Sequence, residues 1–367
     1  MKYLFTFFGL CISLSGCISV TEPVSGQTLQ VDGIWIRDSQ GQVMADPQPS
    51  GLVRWRNQLL TLSDRSAMAT QRLRLHKLDT SGNLLAGSMP ISVAESLSTS
   101  CFADYVGTNP DLEALVVDPR DDRVFITVTE DASDSPLRGE CARRYADTGS
   151  TLFPTLLLRL ELQADNRLLV SHIRPLRFAG EYRVGNFPND GVEGLAFTPD
   201  GTLYLALEKD QASQPRIFSL AVAEDFWQSD EFAEVKDARL LLPGPVQGNH
   251  PINALEYAAG GEGKGYLLAA ARNDDQLWIL DLDRRRPTRI VQMEFWAPAG
   301  GPGCPERELM DNASIEGIAL LGNDIWMIND PWKVNYMKNV NCAINAPHYR
   351  KMAPLLFRLP LQSGWLD

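Results

Sequence analysis

Short apolar runs recur along the chain in pairs, and a tight turn separates the two members of each pair. In DGVEGLAFTPDGTLYLALEKD, at 190–210, apolar runs on either side of Pro-Asp-Gly predict the two strands of a hairpin. Similar pairs lie at 50–66, 111–131, 252–274 and 314–331. In each pair a polar and a small residue open the first run, and an acidic or amide residue closes the second.

A third run follows each hairpin, with the period-two alternation of a half-buried strand. These runs are RLRLHKL, TLLLRLEL, RIFSLAV, QLWILDLD and LLFRLPL. A fourth run often follows, as in NLLAGSMPIS and TRIVQMEFW. Four strands per repeat, with repeats of roughly 60 to 80 residues, are typical of propeller blades. The pattern therefore predicts an all-β fold, a β-propeller of four-stranded blades.

The repeats favour five blades, and a sixth, degenerate blade hidden in the long second repeat is the alternative. The last repeat ends after its third strand, whereas TLQVDGIWIRD at 28–38 is a spare strand. We expect this N-terminal strand to complete the last blade, which closes the ring and removes an exposed sheet edge. On this interpretation residues 28–367 form a single β-propeller domain.

The first residues contain one lysine, a short apolar run and the sequence Leu14-Ser15-Gly16-Cys17. The run is too short for a transmembrane helix and predicts a secretion signal. LSGC resembles the bacterial lipobox, which implies a signal peptide at 1–16, lipidation of Cys17 and a tether at 17–27. Because Ile18 follows the cysteine, the resemblance implies an outer-membrane lipoprotein of the cell envelope, on its periplasmic or surface side. An ordinary signal peptide cleaved elsewhere is the alternative.

Composition and net charge restrict the kinds of partner that the protein is expected to bind. The chain is 44% apolar and 22% charged, which is enough to bury a large core, and its net charge is −12. This balance argues against nucleic acid and against anionic lipid, so we expect membrane contact only through the lipid anchor. A negatively charged protein of this kind suits metal cations and neutral or cationic ligands. We also expect the protein to be a monomer.

Besides Cys17, which is expected to be lipidated, four cysteines remain after the predicted cleavage site, and they are expected to be oxidised in an exported protein. Two stand twelve residues before Glu113 and Glu316, and the other two follow the same residues by 28 and 26 positions. The matching positions favour the pairs Cys101 with Cys141 and Cys304 with Cys342. The two other pairings remain open. With no CxxC pair, zinc is a poor candidate.

Acidic residues recur where first strands begin and second strands end. In a blade the first strand lies beside the axis and the second runs antiparallel to it, so both positions lie on one face. An inner ring is therefore predicted from Glu113, Glu193, Asn253 and Glu316. A second ring is predicted just outside it, from Asp64, Glu130, Glu208, Asn273 and Asp330.

Such rings need a counter-charge, because two carboxylates about 7 Å apart repel by roughly 2 kcal/mol at an effective dielectric near 20. Carboxylate and amide oxygens are the ligands that Ca²⁺ prefers, so calcium or a similar hard cation is predicted on the inner ring. Few histidines and no clustered cysteines argue against zinc, copper and haem. The alternative is structural: the Glu side chains cap backbone N–H groups, and Arg65, Lys209 and Arg272 neutralise charge without metal.

The segments 131–150 and 331–351 are long for blade loops, carry cysteines and are expected on the same face. They supply the candidate substrate-binding residues Arg143, Arg144, Lys333, His348 and Arg350. Candidate catalytic bases are Glu208, Glu130 and His250. No G-x-S-x-G or H-E-x-x-H motif occurs. GGEGKG at 260–265 is interpreted as a hairpin turn.

The run E-G-L-A-F-x-P-D-G-x-L-Y-L-A-x-E-K at 193–209, with echoes at 113–130 and 316–330, resembles a family of bacterial propellers. This is the phytase-like family called "esterase-like activity of phytase", and looser forms of the motif occur in calcium-bound lactonase propellers. The resemblance implies that Glu113, Glu193, Asn253 and Glu316 match axial cation ligands. It also implies hydrolysis of phosphate or carboxylic esters. The dense Asp-rich calcium sites of propeller phytases are absent from the sequence, which argues against phytate itself.

Two hypotheses follow. The first is a lipid-anchored, calcium-binding propeller that hydrolyses a phosphate ester or related ester at the axial face. The second is a non-catalytic envelope module that recognises a glycan, peptide or protein partner, since propellers host both roles.

Overall fold

The computed structural model describes residues 28–130, 132–150, 153–185, 191–244 and 248–367. The predicted signal peptide, Cys17 and the tether lie outside these residues. Eleven strands fall in the first part of the described chain: β1 (Leu29–Trp35), β2 (Pro49–Trp55), β3 (Gln58–Ser63), β4 (Arg74–Leu78), β5 (Leu84–Val93), β6 (Leu112–Asp118), β7 (Asp121–Thr129), β8 (Leu156–Leu162), β9 (Leu168–Arg177), β10 (Val192–Phe197) and β11 (Thr202–Leu207). Eleven more follow them: β12 (Arg216–Ala221), β13 (Ala233–Glu234), β14 (Lys236–Asp237), β15 (Ile252–Ala259), β16 (Gly265–Ala271), β17 (Gln276–Asp281), β18 (Arg289–Pro298), β19 (Arg307–Leu309), β20 (Ile315–Leu321), β21 (Asp324–Asn329) and β22 (Leu355–Pro360).

The described strands group into five four-stranded units, numbered here in chain order. Units 1 to 4 are β2-β3-β4-β5, β6-β7-β8-β9, β10-β11-β12-β14 and β15-β16-β17-β18. Unit 5 consists of β20, β21, β22 and the N-terminal strand β1, which runs antiparallel to β22. The prediction of an all-β fold built from four-stranded repeats is confirmed, and 28–38 supplies the predicted fourth strand. The connection at 260–265 is the turn between β15 and β16, as predicted.

The first strand of each unit packs against the first strands of its neighbours. These inner strands contact one another in the closed order β2, β6, β10, β15, β20 and back to β2. Apolar clusters fill the spaces between successive units. One cluster, for example, joins Leu60 and Leu75 of unit 1 to Phe125 and Leu158 of unit 2. This radial arrangement is that of a β-propeller.

Strands at the outer rim also join neighbouring units. Strand β5 pairs in parallel with β9, which links unit 1 to unit 2, and β13 pairs with β9 from the side of unit 3. Strand β1 pairs in parallel with β18 and so links unit 5 to unit 4. A single bridge between Arg37 and Asn83 connects the end of unit 5 to unit 1.

Every inner strand has an irregularity in its pairing at its second or third residue. In unit 3 the register shifts between Val192 and Gly194, so Glu193 is the extra residue of a β-bulge. The equivalent shifts in the other units involve Pro49/Leu52, Glu113/Leu115, Ile252/Ala254 and Ile315/Gly317. A bulge bends the strand and re-aims one side chain. The repeated polar residue therefore stands at the bulge or directly before it, as Glu113 does in unit 2, where Ala114 is the extra residue.

The small residue after each polar residue is required by close packing at the axis. A Cβ atom on Gly194 would lie 3.0 Å from the backbone of Ala254, and one on Gly317 would lie 2.6 Å from the backbone nitrogen of Leu52. Both contacts are between neighbouring units. The polar-small pair in the repeat therefore combines a re-aimed side chain with room for the next inner strand.

Both predicted disulfides are present. Cys101 is bonded to Cys141, with Cα atoms 5.6 Å apart, and Cys304 is bonded to Cys342, with Cα atoms 5.9 Å apart. The cysteine-bearing segments also contain the short helices α1 (Ala103–Thr108), α2 (Gly139–Arg144) and α3 (Ala346–Arg350). No helix in the described part of the chain is long and apolar enough to cross a membrane.

Candidate functional site

A cavity of about 410 Å³ opens at the end of the axis where the inner strands begin. Among the described residues, eight carboxyl groups line it: Asp64, Asp111, Glu113, Glu130, Glu193, Glu208, Glu316 and Asp330. Three basic residues line it as well: Arg65, Arg272 and Lys333. The convergence of acidic side chains from separate repeats, predicted from their spacing, is therefore present in the structure.

One backbone hydrogen bond recurs in all five units and fixes the second ring beside the inner ring. The N–H of the residue after the second strand donates to the carbonyl of the residue two places before the inner-ring position. The five bonds, 2.8 to 3.2 Å long, run from Asp64 to Gln48, Glu130 to Asp111, Glu208 to Gly191, Arg272 to Pro251 and Asp330 to Ser314.

This repeated bond places Arg272, and not Asn273, in the second ring of unit 4. Asn273 is exposed, and its amide donates to the carbonyl of Asn249 at 3.1 Å. It is not among the described residues that line the cavity. The second-ring position of unit 4, predicted to hold the amide of Asn273, therefore holds the guanidinium of Arg272.

The inner ring contributes three carboxylates and two neutral residues. Glu113, Glu193 and Glu316 are largely buried and line the cavity, whereas Asn253 is completely buried and is not part of the described lining. In unit 1 the equivalent residue is Ser50, whose hydroxyl donates to the carbonyl of Leu112 at 2.6 Å. The predicted ligand set of three Glu and one Asn is thus only partly brought together.

Arg272 lies between two of the carboxylates. Its guanidinium is paired with Glu316 and lies 3.2 Å from Oε1 of Glu208. Burial disfavours the charged form of Arg272, but Glu316 and Glu208 outweigh this effect and raise its pKa. Arg272 therefore stays charged and neutralises one side of the cavity.

Glu130 connects two groups of carboxylates on the other side. Oxygens of Glu130, Asp111 and Glu113 lie within 4.8 Å of one another, and so do those of Glu130, Glu193 and Glu208. We call these sets the two acidic trios. Glu130 Oε1 also accepts a hydrogen bond from the Gly191 N–H at 2.9 Å. Because it belongs to both trios, Glu130 is the centre of the acidic side.

Burial raises the pKa values of several of these carboxyl groups. It raises the pKa of Glu130 to about 8, although hydrogen bonds with Glu193 and Gly191 oppose the shift. Burial, reinforced by neighbouring carboxylates, raises the pKa values of Glu113, Glu193 and Asp330 well above the usual range. In Glu316 burial raises the pKa to about 7, while Arg272 limits the rise. Without a counter-ion, part of this cluster holds protons at neutral pH.

The other two basic residues of the cavity, Arg65 and Lys333, are also paired with carboxylates. Arg65 lies 3.1 Å from Asp111. Lys333 lies 3.2 Å from Asp46 and donates to the carbonyl of Ser66 at 2.6 Å. Each cation of the cavity thus has an acidic partner, and the carboxyl groups outnumber the basic groups.

The donor set fits a hard divalent cation. Each acidic trio offers only carboxylate oxygens at a spacing that one ion could bridge, which is the chemistry that Ca²⁺ prefers. Two buried oxygens of the cavity, Oε2 of Glu316 and Oδ1 of Asp330, have no hydrogen-bond partner in the described structure. Buried polar atoms normally have partners, so these oxygens indicate that the cavity receives a ligand.

Several predicted site residues lie away from the described cavity lining. Arg143 is exposed, and Arg144 pairs with Asp230 and Glu231 at 2.7 Å. His250 lies 2.8 Å from Asp274 through Nδ1. His348 stacks on Trp35 in a separate cavity, and Arg350 is exposed. Of the predicted substrate-binding residues, only Lys333 reaches the axial cavity.

Asp111 and Trp332 are among the lining residues that the sequence pattern did not predict. Asp111 stands two places before Glu113, where the other repeats have Gln48, Gly191, Pro251 and Ser314, so no repeated pattern marked it. Trp332 follows the second-ring residue Asp330 by two positions and lies at the mouth of the cavity. In the sequence, only its position in the long loop after the second strand of unit 5 could have indicated that Trp332 lies near the cavity.

Several solved structures with a similar fold are named as galactanases or galactosidases, at low sequence identity. An exo-β-1,3-galactanase from Phanerochaete chrysosporium, with galactose, is 10% identical, with a TM-score of 0.45 over 91% of this chain and 64% of its own. An exo-β-1,3-galactanase from Clostridium thermocellum is 12% identical, with a TM-score of 0.43 over 90% and 62%. A GH43 β-1,3-galactosidase with galactodeoxynojirimycin is 11% identical, with a TM-score of 0.45 over 92% and 94%.

Sequence comparison assigns the family. No significant match is found among curated proteins. The model of the phytase-like family, described as "esterase-like activity of phytase", matches residues 49–239, which is more than half of the chain. The matched part contains units 1 to 3 and both acidic trios. The chain therefore belongs to the phytase-like family.

Proposed function

We propose that this protein is a hydrolase that binds a divalent cation, with calcium as the first candidate, and cleaves an ester in the axial cavity. The observation that carries the proposal is the convergence of the two acidic trios on Glu130. We further propose that it acts in the bacterial envelope, held there by a lipid on Cys17. Family membership supports hydrolytic chemistry.

The residues proposed to hold the cation are Glu130 with Asp111 and Glu113, or Glu130 with Glu193 and Glu208. A divalent ion bound there would polarise an ester oxygen and lower the pKa of a water molecule. The raised pKa values of Glu113, Glu130 and Glu193 mean that such an ion would replace protons held in the cavity.

With the cation on Asp111, Glu113 and Glu130, Glu208 is not a ligand of that ion and lies on the side of Arg272. The guanidinium of Arg272 lies 3.2 Å from Glu208 Oε1 and orients that carboxylate toward the cavity. Glu208 is then the proposed proton acceptor from the attacking water. Arg272 acts as a positioning residue, because it holds both Glu208 and Glu316.

A second candidate function is an envelope module that binds a glycan, peptide or protein partner without chemistry. The observation in its favour is that Arg65, Arg272 and Lys333 already balance part of the charge. Protons on the carboxyl groups of raised pKa balance another part. In this case the cavity would need no cation.

The test combines calcium titration with an ester screen. Calorimetry should record calcium binding to the wild-type protein and to Glu262→Gln, a control whose side chain is 88% exposed. Glu130→Gln should bind calcium at least about tenfold more weakly, because it removes a carboxylate common to both trios. p-Nitrophenyl acetate and p-nitrophenyl phosphate should reveal calcium-dependent hydrolysis that Glu208→Gln removes. No calcium heat and no hydrolysis would refute the enzyme and favour the binding module.

A further inference from the structure

We propose that the substrate is an ester of low charge that carries an apolar group, and that this group rests on Trp332 and Val334 at the mouth of the axial cavity. This inference rests on the proposed function and specifies its substrate class. It also excludes polyphosphorylated molecules as the preferred ligands. Three features of the described residues carry it: an exposed apolar rim, the engagement of the basic groups and a buried oxygen without a partner.

The rim is unusually apolar for a solvent-facing loop. Trp332 is 46% exposed and Val334 is 76% exposed, and both line the cavity. Met337 and Ile344, on the same segment, are also large exposed apolar residues, but they lie outside the described lining of the axial cavity. Single exposed apolar residues are ordinary, but two of them together at the edge of a cavity, Trp332 and Val334, mark a contact surface.

Hydrogen bonds hold the backbone of the rim in place around Trp332. The N–H of Trp332 donates to the carbonyl of the second-ring residue Asp330 at 2.8 Å. The carbonyl of Trp332 accepts from the N–H groups of Asn335 and Tyr336, at 2.9 and 2.8 Å. Gln48 donates to the carbonyl of Pro331 at 3.3 Å. A ligand would therefore meet a preformed surface, which lowers the entropic cost of binding.

The charges of the cavity disfavour a polyanion. Eight carboxyl groups face three basic groups in the described lining, and Arg65, Arg272 and Lys333 each have an acidic partner. A ligand with several phosphate groups would bring further negative charge into this cavity. Like charges in contact cost several kcal/mol in a binding site. The cavity therefore suits a neutral or singly charged ligand.

Glu316 shows where the polar end of such a ligand belongs. Its side chain is only 6% exposed and lines the cavity. Its Oε2 has no hydrogen bond of ordinary geometry among the described residues, and the buried Asn253 amide beside it has none either. Oε1 is already paired with Arg272. The ligand thus has its polar part inside, among the carboxyl groups and the proposed cation, and its apolar part outside, on the rim.

The test measures how binding depends on the length of an apolar chain. Butyl-, hexyl- and octylphosphonate are titrated into the calcium-loaded protein by calorimetry, with free calcium held constant. The affinity should rise by about twofold per added methylene, as expected for half-buried methylene groups. In the double variant Trp332→Ser/Val334→Ser this increase should largely disappear, while butylphosphonate binding changes little. Leu241→Ser, an equally exposed site outside the cavity lining, should keep the increase.

Each outcome decides the proposal. The proposal would be overturned if the affinity did not depend on chain length, or if the increase persisted in the double variant. It would also be overturned if inositol hexakisphosphate bound more tightly than octylphosphonate. The proposal would also be overturned if the wild-type protein were a dimer and the double variant a monomer, because a second copy of the chain would then cover the rim. Ester hydrolysis without the chain-length effect would leave the proposed function intact. The chain-length effect without hydrolysis would place the same ligand class on a binding module.

Discussion

Glu130 is the residue on which the proposed cation site depends most. It is common to both acidic trios, its backbone N–H is fixed by the recurring bond to Asp111, and its Oε1 accepts from Gly191. Its pKa of about 8 shows that the buried charge costs free energy in the metal-free protein. The same carboxylate is therefore a cost to folding without a cation and a ligand when one is present.

Glu130→Gln should separate these two effects. The amide oxygen can still accept from Gly191, and the variant carries no buried charge at position 130, so the metal-free protein should unfold at a higher temperature than the wild type at pH 8.5. Calcium should raise the unfolding temperature of the wild type more than that of the variant. Thermal unfolding with and without calcium measures both. Equal calcium shifts in the two proteins would contradict the role assigned to Glu130.

The raised carboxyl pKa values also set a pH dependence. In the unfolded chain these groups titrate near 4.5, whereas Glu316 and Glu130 titrate at about 7 and 8 in the folded protein. The folded state therefore binds more protons between these values, and the stability of the metal-free protein should fall as the pH rises from about 4.5 to about 8. Calcium competes with the same protons, so its affinity should increase over that range.

Unfolding temperatures and calcium titrations at pH 6, 7 and 8.5 test this prediction. A calcium affinity that weakens with rising pH would contradict it. A metal-free stability that increases with pH would contradict it as well.

At the residue scale, repeated spacing predicted the carboxylates that converge. The sequence also offered Arg65 and Arg272 as counter-charges, and both pair with carboxylates of the cavity. Glu113, Glu193 and Glu316 share a position relative to a strand, and this position is visible in the sequence. Arg272 was not assigned to the second ring itself, because the end of β16 was placed one residue too late. Asp111 was not predicted because its position has no acidic counterpart in the other repeats.

At the scale of elements, the bulged inner strands determine how closely the units approach the axis. Gly317→Val should destabilise the protein by about 1–3 kcal/mol, because its Cβ would lie 2.6 Å from backbone and side-chain atoms of Leu52. Gly261→Val is the matched control, since a Cβ there meets no atom within 4 Å. Urea unfolding measures the difference, and equal stabilities of the two variants would argue against tight packing at the axis.

Strands and disulfides could be predicted, whereas loop side chains could not. Alternation and spacing determine strands locally, and this is why each predicted third strand appears in its unit. The direction of a loop side chain depends on distant partners instead. Arg144 turns to Asp230 and Glu231, and His348 stacks on Trp35. Neither interaction leaves a trace in the local sequence.

At the scale of the whole molecule, closure depends on the N-terminal strand. Val31 and Trp35 of β1 are buried in the apolar cluster between units 4 and 5. A chain that begins at residue 38 should lose cooperative thermal unfolding, because β22 and β18 lose their common neighbour. A chain that begins at residue 28 keeps every described strand and should unfold as the longer chain does. Calorimetry distinguishes the two, and cooperative unfolding of the shorter chain would refute this role of β1.

The strand pairings between the outer edges of neighbouring units predict where the ring opens transiently. Parallel ladders join units 1 and 2, 2 and 3, and 4 and 5, and one bridge joins 5 to 1, but the described strands include no such ladder between units 3 and 4. That seam is held by inner-strand contacts and by side chains such as Thr288, which donates to the carbonyl of Leu241. Amide protons along β14 should consequently exchange with deuterium sooner than those of β5, β9 and β18, so transient opening of the ring begins at this seam.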